Sequence, residues 1–196
     1  MVDQVAEYIR SGGFVMLPLI FGMLLLWYAL GYRFATLQRG NRRSVRILVE
    51  RYRNGYPRRP AGIVDAAVVR GLSVTQSRTL ELRRFLDEAF AEFETEIAKY
   101  DAVVRAIVRA APLVGLLGTV TGMIETFSAL GDMSLFSQSG GIAGGISQAL
   151  ISTQMGLAVA VPGLVVGRSL DRKQRMISFE LAQIKDILCG EPEEAV

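Results

Sequence analysis

Hydrophobic residues are concentrated in three long runs along the chain. The first run covers residues 14–32 and the third covers residues 142–167, and neither contains a charged side chain. The second covers residues 110–130 and contains one carboxylate. A helix rises about 1.5 Å per residue, so roughly 20 apolar residues cross the hydrocarbon core of a bilayer. The pattern therefore predicts an all-α membrane protein with three transmembrane helices.

The second run carries small and hydroxyl-bearing residues on one helical face. They recur at steps of three and four, at Gly115, Gly118, Thr119, Gly122 and Thr126. Small residues let helices approach closely in lipid, and hydroxyl groups within a span usually face protein or water. The second helix is therefore expected to pack against other spans around something polar.

The third run repeats this pattern and adds the amides of Gln148 and Gln154. Its small residues are Gly145, Ala149, Ser152, Thr153 and Gly156. A buried amide without a partner is costly in lipid, so these polar groups should meet protein or water. They either hold helices together or line a cavity. Thr119 and Thr153 fall at comparable depths in the membrane, which favours a cavity lined by these two threonines with Gln148 and Ser152.

Two prolines and one carboxylate complete the polar features of the spans. Pro112 and Pro162 have no N–H and leave a carbonyl unpaired in the second and third helices, and a bend is expected near Pro112. Glu125 lies roughly 22 Å along the helix from Ala110. An ionisable residue at such a position is a functional candidate. Alternatively, it extends toward the membrane surface or pairs at a subunit interface.

The remaining segments are assigned by their charges. Lys and Arg are abundant in residues 33–109 and 168–196, whereas the connection at 131–141 has neither. The positive-inside rule therefore places the two basic segments in the cytoplasm. Residues 1–13 are then periplasmic and are predicted to form an amphipathic segment. A signal peptide is disfavoured for the first run, because the segment before it is acidic and no small-x-small cleavage site follows.

Helical periodicity continues outside the spans. A helix capped by Asn41 is predicted to run to about Arg53, followed by a loop over residues 54–60 and a second helix over residues 63–72. From Glu81 the apolar spacing predicts one helix of about 50 residues that continues through the second span. The third helix is predicted to continue into the tail along an apolar stripe formed by Leu170, Ile177, Leu181, Ile184 and Leu188.

Composition excludes several kinds of chemistry. The chain has no His and a single Cys, Cys189, so it cannot contain an intramolecular disulfide, a Ser–His triad or a His-ligated metal. The sequence predicts no cofactor, no metal site and no enzyme activity. The net charge of +3 could indicate a nucleic-acid partner, but the Arg clusters adjoin the span ends. Membrane topology and lipid contact account for them, so no nucleic-acid partner is predicted.

The spans resemble the ExbB/TolQ/MotA family of proton-driven motor subunits. The resemblance rests on APLVGLLGTVTGMIETF at residues 111–127 and GGISQALISTQMGLAVAVPGLVV at residues 144–166, with GGFVMLPL at residues 12–19. Three spans with an outside N-terminus are similar to the ExbB and TolQ branches, and the GGISQALISTQMGL form is more similar to ExbB of a TonB system.

The resemblance implies an inner-membrane homopentamer whose second and third spans enclose transmembrane helices of an ExbD-type partner. That partner brings a protonatable Asp and acts with a TonB-like protein. Thr119 and Thr153 match the family's lining threonines. Gln148 falls where many relatives carry a glutamate, and an amide does not titrate in the accessible range. Either Gln148 only forms hydrogen bonds, or Glu125 supplies the charge, or the partner Asp alone carries the proton.

The expected mechanism is inward proton movement past the partner Asp, along a path lined by the two threonines. Three alternatives remain open at this point. The chain could belong to a TolQ-like envelope system, it could be a stand-alone ion channel, or it could be a passive helical scaffold.

Overall fold

The protein is all-helical in the residues that its computed structural model describes, which are 11–38, 40, 44–55, 62–75, 81–131 and 139–190. The helices are α1 (Met16–Thr36), α2 (Val45–Arg53), α3 (Ile63–Thr75), α4 (Leu82–Ala98), α5 (Asp101–Gly131) and α6 (Ser139–Gly190). Three helical stretches, within α1, within Leu82–Gly131 and within α6, are long and apolar enough to cross a membrane. The prediction of three spans is confirmed.

The chain forms two compact units. The first unit contains Met1–Leu30 and Ala102–Gly167, which includes all three apolar runs except the end of the first. Its core is apolar and is drawn from α1 with the residue before it, from α5 and from α6, at Val15, Leu19, Leu26, Val104, Val108 and Val159. A Cβ atom at Gly163 would lie 2.8 Å from atoms of both Leu26 and Val108. The three helices therefore pack side by side, with a glycine of α6 at their meeting point.

The second unit contains Gly31–Asp101 and Arg168–Val196. The apolar stripe predicted for the tail is buried here, from Leu170 to Leu188, with Leu181 and Ile184 fully enclosed. Phe90 and Leu86 of α4 are also fully buried. A Cβ atom at Gly71 of α3 would lie 2.6 Å from Leu188 and 3.3 Å from Phe90. α3, α4 and the end of α6 therefore share one tightly packed core.

The predicted continuity is confirmed for α6 and wrong for the helix expected from Glu81. α6 is a single helix of 52 residues. By contrast, α4 ends at Ala98, and α5 begins at Asp101. Between them Tyr100 has a φ of 62°, in the left-handed region that costs a non-glycine residue about 1–2 kcal/mol. Apolar periodicity does not detect a single residue in this conformation.

Contacts with the end of α1 stabilise this break. The ring of Tyr100 packs edge-on against Tyr32, with 5.0 Å between ring centroids. The Tyr32 hydroxyl donates a hydrogen bond to Glu96, and Lys99 Nζ donates to the same hydroxyl at 3.3 Å. These contacts lie beside the left-handed residue and contribute to offsetting its cost.

Arg33 is buried in the second unit, although the sequence marks it only as a charge beside the first span. Its side chain is 1% exposed. One guanidinium nitrogen lies 3.3 Å from Asp101 of α5, and the other lies 3.1 Å from Asp171 of α6. The second nitrogen also donates to Gln174 at 2.6 Å. One arginine therefore links three helices through charged and polar contacts.

Other predicted boundaries differ by a few residues. α2 begins at Val45 with Ser44 in the N-cap position, and Asn41, the expected cap, lies outside the described residues. α3 extends to Thr75, three residues beyond the predicted end. The predicted amphipathic segment of residues 1–13 lies mostly outside the described residues. So do most of the connection at 131–141 and most of the predicted loop at 54–60.

Candidate functional site

The candidate site lies where the apolar part of α5 meets that of α6 in the first unit. The two backbones touch. A Cβ atom at Gly115 would lie 2.9 Å from the Ser152 carbonyl oxygen, and one at Gly156 would lie 2.8 Å from that of Ala111. The nearest atoms belong to backbone, so a side-chain rotation could not create space.

Two further glycines extend this contact along the helices. A Cβ atom at Gly122 would lie 2.5 Å from the Gly145 carbonyl oxygen and 2.8 Å from the Ala149 nitrogen. A Cβ atom at Gly145 would lie 2.3 Å from the Thr126 hydroxyl. Later residues of α5 thus meet earlier residues of α6, so the two helices are antiparallel. The glycines assigned to helix packing from the sequence lie at this contact.

Ser152 is also part of the contact between α5 and α6. Its side chain is fully buried, and its hydroxyl donates to the Ala149 carbonyl at 3.1 Å. A Cβ atom at Gly118 would lie 2.3 Å from both Cβ and Oγ of Ser152. Since α5 covers the hydroxyl, we group Ser152 with the packing residues and leave it out of the path lining that the sequence suggested.

Thr119 and Thr153 are partly exposed. Thr119 Oγ1 donates to the Leu116 carbonyl at 2.6 Å, and Thr153 Oγ1 donates to the Ala149 carbonyl at 2.9 Å. A hydroxyl has one proton to donate and two acceptor lone pairs. With the proton committed to the helix backbone, each threonine presents an acceptor oxygen to its surroundings.

The two threonines lie close to the same level of the helix pair. The Thr153 Cα lies 3.3 Å from the position of a Cβ atom at Gly115, and Gly115 is one helical turn before Thr119. Residues four apart share a helical face, so Thr119 lies one turn further along α5 on the side that meets α6. The two threonines are therefore about one helical turn apart along the helix pair, and their place in a proton path stays a prediction.

Glu125 and Gln148 form a polar contact between the same two helices. Gln148 Nε2 donates a hydrogen bond to Glu125 Oε1 at 3.1 Å. Glu125 is exposed, and Gln148 is partly buried. Neither the pairing nor the contact of Gln148 with Gly13 was predicted. Gly13 has a left-handed φ of 69°, and the Gly12-Gly13 pair was the only sequence signal for this position.

Pro112 and Pro162 lie inside α5 and α6, and both helices continue past them. The bend near Pro112 stays a prediction. Among the described residues, no group of three His, Cys, Asp or Glu side chains is arranged to hold a metal ion. The chemistry that this site offers is hydrogen bonding by hydroxyls, an amide and one carboxylate.

Comparison with known proteins identifies a family with this architecture. The sequence profile of the MotA/TolQ/ExbB proton channel family matches residues 60–183, more than half of the chain. This match includes α5 and α6 up to residue 183, and so every residue of the candidate site except Gly13.

Curated relatives align over most of the chain. The chain is 30% identical to the putative biopolymer transport protein ExbB-like 3 of Synechocystis, over 89% of this chain and 90% of the relative. It is 28% identical to the putative biopolymer transport protein ExbB-like 1 of Helicobacter pylori, over 96% of this chain and 98% of the relative. It is 36% identical to the biopolymer transport protein ExbB of Aquifex aeolicus, over 53% of this chain and 72% of the relative.

Proposed function

Because this chain belongs to the MotA/TolQ/ExbB proton channel family, we propose that it is the stator subunit of a motor driven by the proton-motive force. The three apolar helices and the family membership together make it a multi-pass protein of the inner membrane. The family is named for proton conduction and not for an enzymatic reaction. The proposed work of this subunit is to energise TonB-dependent transport across an outer membrane.

One observation carries the proposal: two partly exposed threonine oxygens are held as acceptors on a closely packed helix pair. A protonated carboxyl group of a partner helix could donate to either oxygen. An ionised carboxylate has no proton to donate, so it would bind only if a threonine hydroxyl gave up its backbone carbonyl. Protonation and deprotonation of the partner therefore change its affinity for Thr119 and Thr153.

The proposed assembly is a homopentamer that surrounds an ExbD-type partner with a protonatable Asp and acts on a TonB-like protein. Residues 33–109 and 168–196 are proposed to lie in the cytoplasm, with the N-terminus in the periplasm, in accord with the distribution of Lys and Arg. The names ExbB and ExbB-like of the relatives favour this branch over a TolQ-like one.

The energies involved are compatible with one proton per step. A membrane potential of 100 mV supplies about 2.3 kcal/mol per charge. Hydrogen bonds between membrane helices contribute about 0.6–2 kcal/mol each. The passage of one proton can therefore release a partner carboxyl group from one hydroxyl-lined position and favour its transfer to the next subunit.

The test is the double variant Thr119→Val with Thr153→Val, assayed with the partner in reconstituted vesicles and in cells. Valine is nearly isosteric and deletes only the hydroxyl, so the complex should assemble while energised transport is lost. Thr121→Val is the matched control, because Thr121 also donates to a backbone carbonyl of α5, that of Gly118 at 3.0 Å, but lies two residues from Thr119 on a different helical face.

Each rival function gives a different result. A stand-alone channel would conduct protons without any partner, and a passive scaffold would be unaffected by the double valine change. Undiminished transport in that double variant would reject the assigned role of the two hydroxyls.

A further inference from the structure

Arg105 and Arg109 lie in α5 just before its apolar run, and the proposed path does not use them. We propose that these two arginines line the cytoplasmic end of the path and exclude Na⁺ and K⁺ from it by their positive charge. The inference rests on the proposed function, because it assigns the ion selectivity of that same path.

The first argument is the level of Arg109 along its neighbouring helices. A Cβ atom at Gly163 of α6 would lie 2.8 Å from atoms of both Leu26 in α1 and Val108 in α5. Leu26 is six residues before the end of the first apolar run, and Gly163 is four before the end of the third, or about 9 and 6 Å. Arg109 follows Val108 directly. It therefore lies beside two helices that carry no charge at its level.

The second argument is the direction of the two side chains. Ile107 faces α1, since a Cβ atom at Gly22 would lie 3.8 Å from its Cγ2 atom. Residues two apart on a helix point about 200° apart, so Arg105 and Arg109 both point away from α1. Both side chains are exposed. Thr119 lies two heptads beyond Arg105, a spacing that rotates the side chain by only about 40°. Arg105 and Thr119 therefore lie on the same side of α5.

The third argument is the lack of nearby negative charge. Residues 11–30, 102–124 and 142–167 contain no Asp or Glu. An arginine side chain stays protonated in proteins, so Arg109 keeps its charge among these segments. A charge at the level of membrane spans almost always faces the bundle interior or a water-filled cavity. In the proposed assembly, the side of α5 that points away from α1 faces that interior.

The consequence is a path that distinguishes protons from other cations. When several copies surround the path, their arginines repeat around its end and repel any ion that stays positively charged. Hydrated Na⁺ and K⁺ keep their charge throughout. A proton bound to the carboxylate of the partner crosses as part of a neutral group, so the same arginines do not repel it.

The experiment measures K⁺ efflux with an ion-selective electrode, from vesicles that contain the full complex with its partner. Arg109→Gln should raise the efflux rate by about tenfold, because every copy loses a charge at the end of the path. Arg109→Lys keeps the charge and should behave as the wild type. Arg109→Glu inverts the charge and should leak more than Arg109→Gln.

Arg175 provides the matched control, because it is an exposed arginine of α6 that lies eight residues beyond the end of the third apolar run. Arg175→Gln removes the same charge away from the spans and should leave K⁺ efflux unchanged. Wild-type efflux by Arg109→Gln would overturn the inference and is expected if Arg109 faces lipid. An equal rise in Arg175→Gln or in Arg109→Lys would also overturn it.

The double variant Arg105→Gln with Arg109→Gln tests the second arginine. It should leak more than Arg109→Gln alone, and an equal rate would refute the role of Arg105.

Assembly of every variant is measured by native mass, and efflux rates are normalised to assembled complex. Proton uptake is followed in the same vesicles with a pH-sensitive dye. If the wild-type complex takes up no protons, the proposed function itself fails. If proton uptake is intact and Arg109→Gln leaks no more K⁺ than the wild type, only the selectivity inference fails.

Discussion

Arg33 offers the sharpest test of how the second unit is held together. Replacing it with methionine removes the charge and retains a long apolar side chain. Asp101 and Asp171 then lose the guanidinium that lies 3.3 and 3.1 Å from their carboxylates. Their side chains are only 12% and 25% exposed, so water cannot fully take its place.

The magnitude follows from opposing terms. At an effective dielectric constant of about 20, each ion pair at these distances gains roughly 5 kcal/mol of attraction. Desolvation of each buried ion costs several kcal/mol, so the intact cluster has little net effect on stability. Removing one partner leaves the desolvation cost without the attraction. We therefore expect Arg33→Met to lower the free energy of unfolding by about 3–5 kcal/mol.

The assay is unfolding of the purified protein in mixed micelles, followed by far-UV circular dichroism as the SDS fraction rises. The triple variant Arg33→Met, Asp101→Asn, Asp171→Asn removes all three charges and should recover most of the loss. Arg83→Met is the control, because Arg83 is 76% exposed and lies 3.8 Å from Asp186. It should change stability by less than about 1 kcal/mol.

Two results would refute this reasoning. If Arg33→Met were as stable as the wild type, the cluster would be solvated and the burial argument would fail. If the triple variant were no more stable than Arg33→Met, the loss would come from packing of the side chain and not from the stranded carboxylates.

Two further predictions concern helix contacts. Gly122→Ala should destabilise the first unit and weaken assembly, because its Cβ atom would lie 2.5 and 2.8 Å from backbone atoms of α6. Gly144→Ala is the control, because a Cβ atom there has nothing within 4 Å. In SDS unfolding, Gly144→Ala should leave the free energy of unfolding unchanged or raise it by up to about 1 kcal/mol. Burial lowers the pKa of Lys185, but hydrogen bonds to Asp87 and Glu94 outweigh it and leave the pKa above its ordinary 10.5. The stability difference between wild type and Lys185→Met should therefore be constant from neutral pH to about pH 10 and shrink as pH rises further through the Lys185 pKa, and a difference that vanishes by pH 8 would contradict this.

The sequence predicted the three spans and the continuity of α6 because both depend on patterns repeated over many residues. Long apolar runs identify spans, and a stripe such as Leu181 and Ile184 identifies a buried face. Features that depend on one residue were not predictable in this way. The left-handed Tyr100 ends a helix whose apolar spacing continues without change.

Buried charge was missed for a related reason. The sequence presents Arg33 as one of many arginines beside a span, and its aspartate partners lie 68 and 138 residues further along the chain. Only the fold brings them together. In the candidate site, spacing along each helix identified Thr119 and Thr153 as hydroxyls near the contact between α5 and α6. It could not distinguish the covered hydroxyl of Ser152 from the open one of Thr153, since the two are adjacent and both fit the polar stripe.

The contact between α5 and α6 limits how a motor built on this subunit can operate. Carbonyl oxygens of one helix lie against glycines of the other at several successive turns. If one helix moved along the other by one residue, larger side chains would replace the glycines at these contacts and would clash with the facing backbone. In the proposed motor, a power stroke would therefore leave this pair intact and take place at its outer surfaces.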